Sequence, residues 1–341
     1  MTQQLRSGVV GHRVVPVLVE RMATGSRPGA RTDKHRLALA IEGGGMRGSV
    51  SAGMAFALQE LGLLNAFDAV YGASAGAISA AWLLSSRPQG LRGLADARFA
   101  KAVVRRRNLL RGRPMVDLKR LIEDVYLNQF PLDYASVLDN PIEFHPLATD
   151  VDTGEPVDLH SELTDVRALR LAVRASAALP VLAGGPVHLG GRRYYDAGLA
   201  ESVPFRQALR DGATHVLVLR SKPQLDGDPV VRFGPTLGSR FVAGVALRRH
   251  SPQLRAAYLG RPARLADDDR LLAAYDVDTA ASADSAVLSI RPDPSTPCLG
   301  RLQAHGALLQ ESFEHGLRAV DSWFAGLSGT DRYAMPLPDA A

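Results

Sequence analysis

Two short apolar segments, each followed by a glycine-rich turn and then by small and apolar residues, mark the first third of the chain. Residues 37–41 are apolar and end at three glycines, and residues 49–61 then place Ala, Leu and Met at helical spacing. Residues 67–71 predict a second strand, followed by a sharp turn over 72–76 and a buried helix over 77–84. Two strand-turn-helix units in succession predict an α/β fold with a mostly parallel central sheet flanked by helices.

The hydrophobic pattern of the rest of the chain extends this sheet and suggests three parts. A helix is predicted over 166–177, and further strands over 142–148, 156–159, 193–195 and 215–219, for a sheet of about six strands. Residues 1–35 are expected to form a flexible arm with one short strand at 14–19, and residues 36–220 the domain core. Residues 221–341 are expected to form a loop over 222–238 and a helical extension, with helices over 251–275 and 299–324 and a strand over 286–290.

Basic residues exceed acidic ones, 40 against 35, and are locally dense in one segment of the chain. The dense segment contains Arg105, Arg106, Arg107, Arg111 and Arg113. Leu109 and Leu110 lie within it, so one face suits acyl chains while the arginines meet lipid phosphates. A solvated helix face is the competing interpretation. Nucleic-acid binding is not expected, because no aromatic residues for base stacking are interleaved with the arginines.

Cysteine content and segment lengths set expectations about location. Cys298 is the single cysteine, so no internal disulfide is possible and the cytoplasm is the expected compartment. No apolar run approaches the roughly 20 residues that a membrane-spanning helix needs. If the protein meets lipid, we expect it to do so peripherally, from the membrane surface.

The turn over residues 72–76 has the sequence Gly-Ala-Ser-Ala-Gly, which fits the pattern Gly-x-Ser-x-Gly. Small neighbours such as Gly72 and Gly76 let the chain pass from strand to helix so tightly that the hydroxyl of Ser74 is left exposed as a nucleophile. The dipole of the following helix favours a developing anion there. A tight turn without function is the alternative for this pentapeptide taken alone.

A second glycine-rich segment lies about 30 residues upstream, at the end of the preceding strand. It reads Glu42, Gly43, Gly44, Gly45, Met46, Arg47 and Gly48. The backbone N–H groups of Gly43, Gly44 and Gly45 are suited to hold the oxyanion of a tetrahedral intermediate. The same spacing also fits a dinucleotide-binding loop, but that function needs an acid at the tip of the next strand. The nearest acid, Asp68, falls at the beginning of that strand, so the oxyanion interpretation is favoured.

A serine nucleophile needs a base, and Asp196 directly follows the strand predicted over 193–195. A free Asp titrates at about 3.9, and partial burial raises that pKa toward the range of an effective base. Ala197 and Gly198 follow Asp196, and Pro204 comes shortly after. The alternative is an Asp that only caps the turn before Pro204.

These segments together resemble the patatin-like phospholipases. The loop over 43–48 is similar to the family's oxyanion loop, residues 72–76 to its nucleophile turn, residues 196–198 to the segment with its catalytic Asp, and residues 175–180 to the stretch before that Asp. The resemblance covers about residues 36–219. It implies a three-layer fold and a Ser74–Asp196 dyad without histidine, acting on lipid or acyl-ester substrates with no metal or other cofactor. Three positions depart from the family pattern: Ala197 stands where glycine is usual, Ser202 where Asn is frequent, and Glu42 where Asp is frequent.

Two other function classes stay open at the level of sequence. An α/β-hydrolase triad needs a histidine after the acid, and several follow Asp196: His215, His250, His305 and His315. A patatin-like protein that binds lipid without turnover is the second alternative. The head group, the chain length, the position of the ester, the choice between hydrolysis and acyl transfer, and the oligomeric state are not readable from the residues.

Overall fold

The computed structural model describes residues 11–105, 108, 114–223, 236–277 and 285–328. Eight strands form one mixed sheet in the order β5-β6-β3-β2-β1-β7-β8, with β4 also paired to β3. Their bounds are β1 Leu37–Ile41, β2 Ala69–Ala73, β3 Glu143–Asp150, β4 Pro156–Asp158, β5 Val187–Leu189, β6 Arg192–Asp196, β7 His215–Leu219 and β8 Ala286–Ile290.

The pairing of the strands confirms the α/β class predicted from the sequence. The run from β3 through β2, β1 and β7 to β8 is parallel, while β4 and β6 pair with β3, and β5 with β6, in antiparallel fashion. The predicted count of about six strands was too low. Val187–Leu189 was missed because three residues are too few to show a period, and Ala286–Ile290, predicted as a separate strand, joins the same sheet.

Helices cover both faces of the sheet. Their bounds are α1 Val14–Ala23, α2 Gly48–Glu60, α3 Ala75–Leu84, α4 Ala97–Val103, α5 Leu118–Gln129, α6 Tyr134–Leu138, α7 Val166–Ala177, α8 Phe205–Arg210, α9 Leu237–Val245, α10 Pro252–Asp276 and α11 Gly306–Ser328. Helix α5 is α-helical only over Leu118–Arg120 and continues as a π-helix over Leu121–Gln129. None of the described helices has the length and apolar character needed to cross a membrane.

The alternation of side chains along β1 shows how the layers are built. Leu37, Leu39 and Ile41 belong to the larger buried core with α1, α2, α3 and α11, whereas Ala38 and Ala40 belong to a second core with α8 and α10. All five residues are buried, as expected for a strand covered on both faces. The sheet is therefore the middle of three layers.

The N-terminal segment differs from the flexible arm expected over residues 1–35. Within its described part, α1 packs on the core, with Val14 and Leu18 fully buried. The buried Arg21 donates to Asp33 and Asp68, which fixes the segment to the start of β2. The valine-rich run suggested a strand, but burial of one helical face outweighs the modest β-propensity of Val.

The C-terminal part contains the two long helices predicted, α10 and α11, although α11 begins at Gly306 and not near residue 299. The loop predicted over 222–238 falls largely outside the described residues. Helix α11 lies against α2 so closely that a Cβ on Gly53 would be 2.1 Å from the carbonyl oxygen of Phe313. Residues 299–302 instead run past the glycine-rich loop that follows β1.

Candidate active site

Ser74 sits in a strained turn between β2 and α3. Its φ of 56° and ψ of −119° lie in a region that side-chain-bearing residues rarely adopt. A Cβ on Gly72 would be 2.5 Å from the Cα of Ala77, and one on Gly76 would be 2.2 Å from the carbonyl oxygen of Ile41. The turn therefore needs glycine on both sides of the serine, as the sequence pattern predicted.

The fold brings Ser74 and Asp196 together although 122 residues separate them in sequence. The hydroxyl of Ser74 donates a hydrogen bond of 2.7 Å to Oδ2 of Asp196, which ends β6. The backbone N–H of Ser74 donates to Oγ of Ser176, at the end of α7, over 2.9 Å. Both dyad side chains are buried, so their hydrogen bond is shielded from water.

Burial raises the pKa of the Asp196 carboxyl above its ordinary value. Arg261, the Ser74 hydroxyl, the N–H of Gly198 and Arg301 act in the opposite direction and do not cancel the effect of burial. The N–H of Gly198 is 2.7 Å from Oδ1, so each carboxylate oxygen has one hydrogen-bond donor. A carboxylate in this state is a better proton acceptor than a free aspartate.

The glycine loop after β1 lies directly against the nucleophile turn. A Cβ on Gly43 would be 2.6 Å from the carbonyl oxygen of Ala73, and the N–H of Gly43 donates to the carbonyl of Ser202 over 3.0 Å. Met46 donates its N–H to the carbonyl of Arg301. Between these two anchors, the N–H groups of Gly44 and Gly45 have no acceptor among the described residues.

Glu42 anchors the base of this loop. It accepts hydrogen bonds from Nε of Arg220 at 3.0 Å and from the N–H of Ser221 at 2.7 Å. Burial by itself raises its pKa, but Arg220, Arg47 and the Ser221 N–H outweigh burial and bring the pKa down to about 2. Arg47 donates to Oγ of Ser221, and a Cβ on Gly48 would be 2.6 Å from the Cβ of Ala75. The negative charge of Glu42 thus holds the loop in place.

A cleft opens beside Ser74 and Asp196, and its lining is mostly apolar. Its polar lining includes Ser74, Asp196, Arg261 and Arg301. The apolar lining comes from α3, α4, α5 and the segments next to them, and includes Ile78, Leu94, Phe99, Val103, Val116, Leu118, Leu121, Leu179 and Leu182. This lining is that of a site for a long apolar group with a polar end.

A family model described as Patatin-like phospholipase matches residues 39–209, half of the chain. This range contains the glycine loop, the strained serine turn and Asp196. The chain belongs to the patatin-like phospholipase family. The family is one of lipid acyl hydrolases, and the three-layer α/β architecture seen here agrees with that membership.

Two further comparisons place this family member among known proteins. It is 30% identical over 201 residues to the uncharacterized protein YjjU of Escherichia coli strain K12, a match that covers 55% of this chain and 52% of YjjU. The chain thus spans about half the length of that relative. VipD from Legionella pneumophila is similar in structure with a TM-score of 0.37 and 14% identity, covering 87% of this chain and 69% of VipD.

The two residues that follow Asp196 have different surroundings. The methyl group of Ala197 packs in the second core with Ala38, Ala40 and their neighbours, and does not line the cleft. A Cβ on Gly198, by contrast, would be 2.8 Å from Oδ1 of Asp196 and 3.0 Å from Nη2 of Arg261. A side chain at position 198 would therefore crowd the carboxylate of Asp196, whereas alanine at position 197 fits the space available.

Sequence reasoning missed several residues that the fold adds to this patatin-like site. Ser202, noted only as a departure, donates to the carbonyl of Gly198 and accepts from Arg261, while its own carbonyl holds Gly43. Arg261 and Arg301 come from the C-terminal part, beyond the family match. No local pattern marks them, because only the folded chain brings them to the cleft.

The other predicted groups lie elsewhere. Of the basic segment, only Arg105 belongs to the described residues, and Arg106, Arg107, Arg111 and Arg113 lie outside them. The described lining of the cleft includes no histidine. His215 lies at the start of β7, whereas Ser74 follows the end of β2, so the two residues lie at opposite ends of the parallel strands. Burial lowers the pKa of His215 to about 4. One grouping with metal-ligand chemistry, His145, Asp158 and Asp211, has ligand atoms within 4.8 Å of one another and shares no residue with the cleft.

Proposed function

We propose that this protein is a lipid acyl hydrolase in which Ser74 is the nucleophile and Asp196 the general base. The observation that carries the proposal is the buried 2.7 Å hydrogen bond from the Ser74 hydroxyl to Asp196, at the end of an apolar cleft. Family membership supports the reaction class. The strain at Ser74 supports it further, because backbone strain of this kind concentrates at functional sites.

The proposed reaction proceeds through an acyl-enzyme. Asp196 accepts the proton of Ser74 while the serine oxygen attacks the ester carbonyl, and the proton then passes to the leaving alcohol as the C–O bond breaks. Water next gives a proton to Asp196 and attacks the acyl-enzyme, and the proton returns to Ser74 as the fatty acid leaves. Each half-reaction starts and ends with Asp196 ionised.

Two N–H groups are proposed to hold the oxyanion. Gly43 was predicted to contribute with Gly44 and Gly45, but its N–H is engaged by Ser202, so its proposed role is to fix the loop. Gly44 and Gly45 keep their donors available next to the serine turn. Loss of one such donor typically costs about 3 kcal/mol of transition-state stabilisation.

The proposed substrates are glycerolipids or lysophospholipids, with the acyl chain in the apolar cleft. Peripheral contact with an anionic membrane surface is proposed for the arginine segment that begins at Arg105 and includes Arg106, Arg107, Arg111 and Arg113. Sedimentation with vesicles that contain anionic lipid tests this contact. Binding that is unchanged when these arginines are replaced by glutamine would remove the membrane role of the segment.

The first experiment measures release of p-nitrophenol from medium-chain esters by the wild type, Ser74→Ala and Ser79→Ala. Ser79 lies on α3, donates to the carbonyl of Ala75 and does not line the cleft, so it is a matched control. We expect activity in the wild type and Ser79→Ala and a loss of roughly 10⁴-fold in Ser74→Ala. A fluorophosphonate probe should label Ser74, as located by mass spectrometry. Equal activity of wild type and Ser74→Ala, or a folded wild type inert on all esters, would contradict the proposal.

A further inference from the structure

Arg261 and Arg301 stand beside the dyad and lie outside the part of the chain that the family match covers. Arg261 is on α10, and its Nη2 donates to Oγ of Ser202 over 3.3 Å. Arg301 lies in the segment before α11, and its carbonyl accepts from Met46 of the glycine loop. Both arginines are thus held in position by the loop and turn that build the catalytic site.

The two fully buried arginines of the described structure are paired with carboxylates. Arg21 contacts Asp33 and Asp68, and Arg220 contacts Glu42 and Asp269. No carboxylate of the described residues lies within ion-pair distance of Arg261 or Arg301. Asp196 is the carboxylate whose charge acts most strongly on both, but its oxygens bond Ser74 and Gly198.

The positive charges at the cleft repel one another. Burial, together with the charges of Arg301 and Arg47, lowers the pKa of Arg261 to about 10, although Asp196 acts in the opposite direction. The pKa of Arg301 is also lowered, by partial burial of its guanidinium and by the charge of Arg47. Both guanidinium groups remain positive at neutral pH. Holding two positive groups close together costs free energy. An anionic ligand bound between them would offset that cost, because its negative charge attracts both.

Unused hydrogen-bond donors accompany this charge. A guanidinium has five N–H donors in a planar fork, and in Arg261 the buried Nε has no partner in the described structure. Arg301 is exposed, so its side chain is accessible from solvent. Planar guanidinium groups with free donors match the several oxygens of a phosphate group better than a single carbonyl.

We propose that Arg261 and Arg301 form an anion subsite that binds the phosphate of the substrate, so that the protein selects phosphate-bearing glycerol esters over neutral ones. This inference rests on the proposed function, since it places the phosphate next to the ester that Ser74 attacks. The apolar cleft then holds the acyl chain, and the arginines hold the head group.

The test compares a short-chain lysophosphatidic acid with the monoacylglycerol of the same acyl chain, below their micellar concentrations. The quantity measured is the ratio of the two kcat/KM values in the wild type, Arg261→Gln, Arg301→Gln and Arg270→Gln. Arg270 is an exposed residue of α10 paired with Asp267, so its variant removes the same charge from the same helix away from the cleft. The ratio cancels any general loss of activity caused by changes at Ser202 or Asp196.

We expect the wild type to prefer the phosphate ester and the ratio to fall about 10-fold to 100-fold in Arg261→Gln and Arg301→Gln, as for loss of a hydrogen bond between charged groups. Arg270→Gln should keep the wild-type ratio. An unchanged ratio in both cleft variants would overturn the subsite. Inhibition by inorganic phosphate that depends on Arg261, without any preference for the phosphate ester, would overturn the substrate assignment and indicate a site for free phosphate.

A binding measurement separates this inference from the proposed function. Ether-linked alkylglycerol phosphate and alkylglycerol resist ester hydrolysis, and their dissociation constants for wild type and variants can be measured by calorimetry. Tighter binding of the phosphate compound that disappears in Arg261→Gln and Arg301→Gln supports the subsite even if no ester is turned over. Equal binding of the two compounds to the wild type overturns it even if the esterase activity is found.

Discussion

Two buried carboxylates at the same edge of the sheet have opposite electrostatic states. Glu42 accepts from Arg220 and from the N–H of Ser221, and its pKa falls to about 2. Asp196 has Arg261 and Arg301 nearby, but it bonds only neutral donors, the Ser74 hydroxyl and the Gly198 N–H, and its pKa is raised. Both groups are buried, so burial alone does not distinguish them.

The difference lies in what contacts the charged form. A guanidinium hydrogen-bonded to a carboxylate stabilises its charge and removes its tendency to accept a proton, which suits an anchor. A carboxylate kept from direct ion pairing, and bonded to the hydroxyl whose proton it takes, retains the basicity that catalysis needs. The comparison predicts that changes at Asp196 affect activity, whereas changes at Glu42 affect stability.

The largest effect is expected for Asp196→Asn. Activity on p-nitrophenyl esters should fall roughly 10⁴-fold, because an amide cannot accept the serine proton. The free energy of unfolding should rise by about 0.5–2 kcal/mol, because the raised pKa means that the native state favours the neutral group. Kinetics and denaturant unfolding of the same preparation check both. A variant that is inactive and also less stable would show that Asp196 is an anchor like Glu42.

Glu42→Gln should have the largest effect on stability. We expect a loss of about 3 kcal/mol, the lower end for removing one partner of a buried ion pair, because Asp269 still contacts Arg220. The control is Asp269→Asn, which removes a half-exposed partner of the same arginine and should cost less than about 1 kcal/mol. Equal losses in both variants, measured by urea unfolding, would argue against Glu42 as the main anchor.

Acidification should affect the roles of the two carboxylates in different pH ranges. As pH falls through the raised pKa of Asp196, the base becomes protonated and kcat/KM should fall about tenfold per pH unit. Glu42 has a lowered pKa, so its contribution to stability is complete above its unfolded value of about 4.3 and is lost only as pH falls toward 2. The stability difference between wild type and Glu42→Gln should stay constant while activity is lost. If this stability difference became smaller over the same pH range in which activity is lost, the two carboxylates would not have the different pKa shifts proposed here.

The smallest effect is expected at Ala197, the departure from the family pattern that directly follows Asp196. Ala197→Gly should change kcat/KM by less than about threefold. It should cost about 1 kcal/mol of stability, because the methyl group packs in the core and glycine increases the conformational entropy of the unfolded chain. Gly198→Ala is the contrasting variant, since its Cβ would meet Asp196 and Arg261. A gain in activity in Ala197→Gly would show that the methyl group does restrict the site.

Sequence patterns were sufficient where the chemistry is local. Strand, glycine turn and helix were predicted at β1, β2 and the helices after them, because small residues at fixed spacing are needed for the turn at Ser74. Patterns were insufficient at α1, where Val14 and its neighbours have the composition of a strand but become helical by packing on the core. The same holds for β5, which is too short to show a period.

The sequence by itself determined the fold class and the family and singled out the serine and aspartate of the proposed dyad, since these depend on short motifs and on the spacing of hydrophobic residues. Only the tertiary structure decided which glycine amides remain available, which acid is paired, and that Arg261 and Arg301 reach the cleft from distant segments. Hydrogen-bond partners and the pKa of buried groups depend on atoms brought together across the whole chain. No local pattern encodes those contacts, so the electrostatics of the site appear only once the chain is folded.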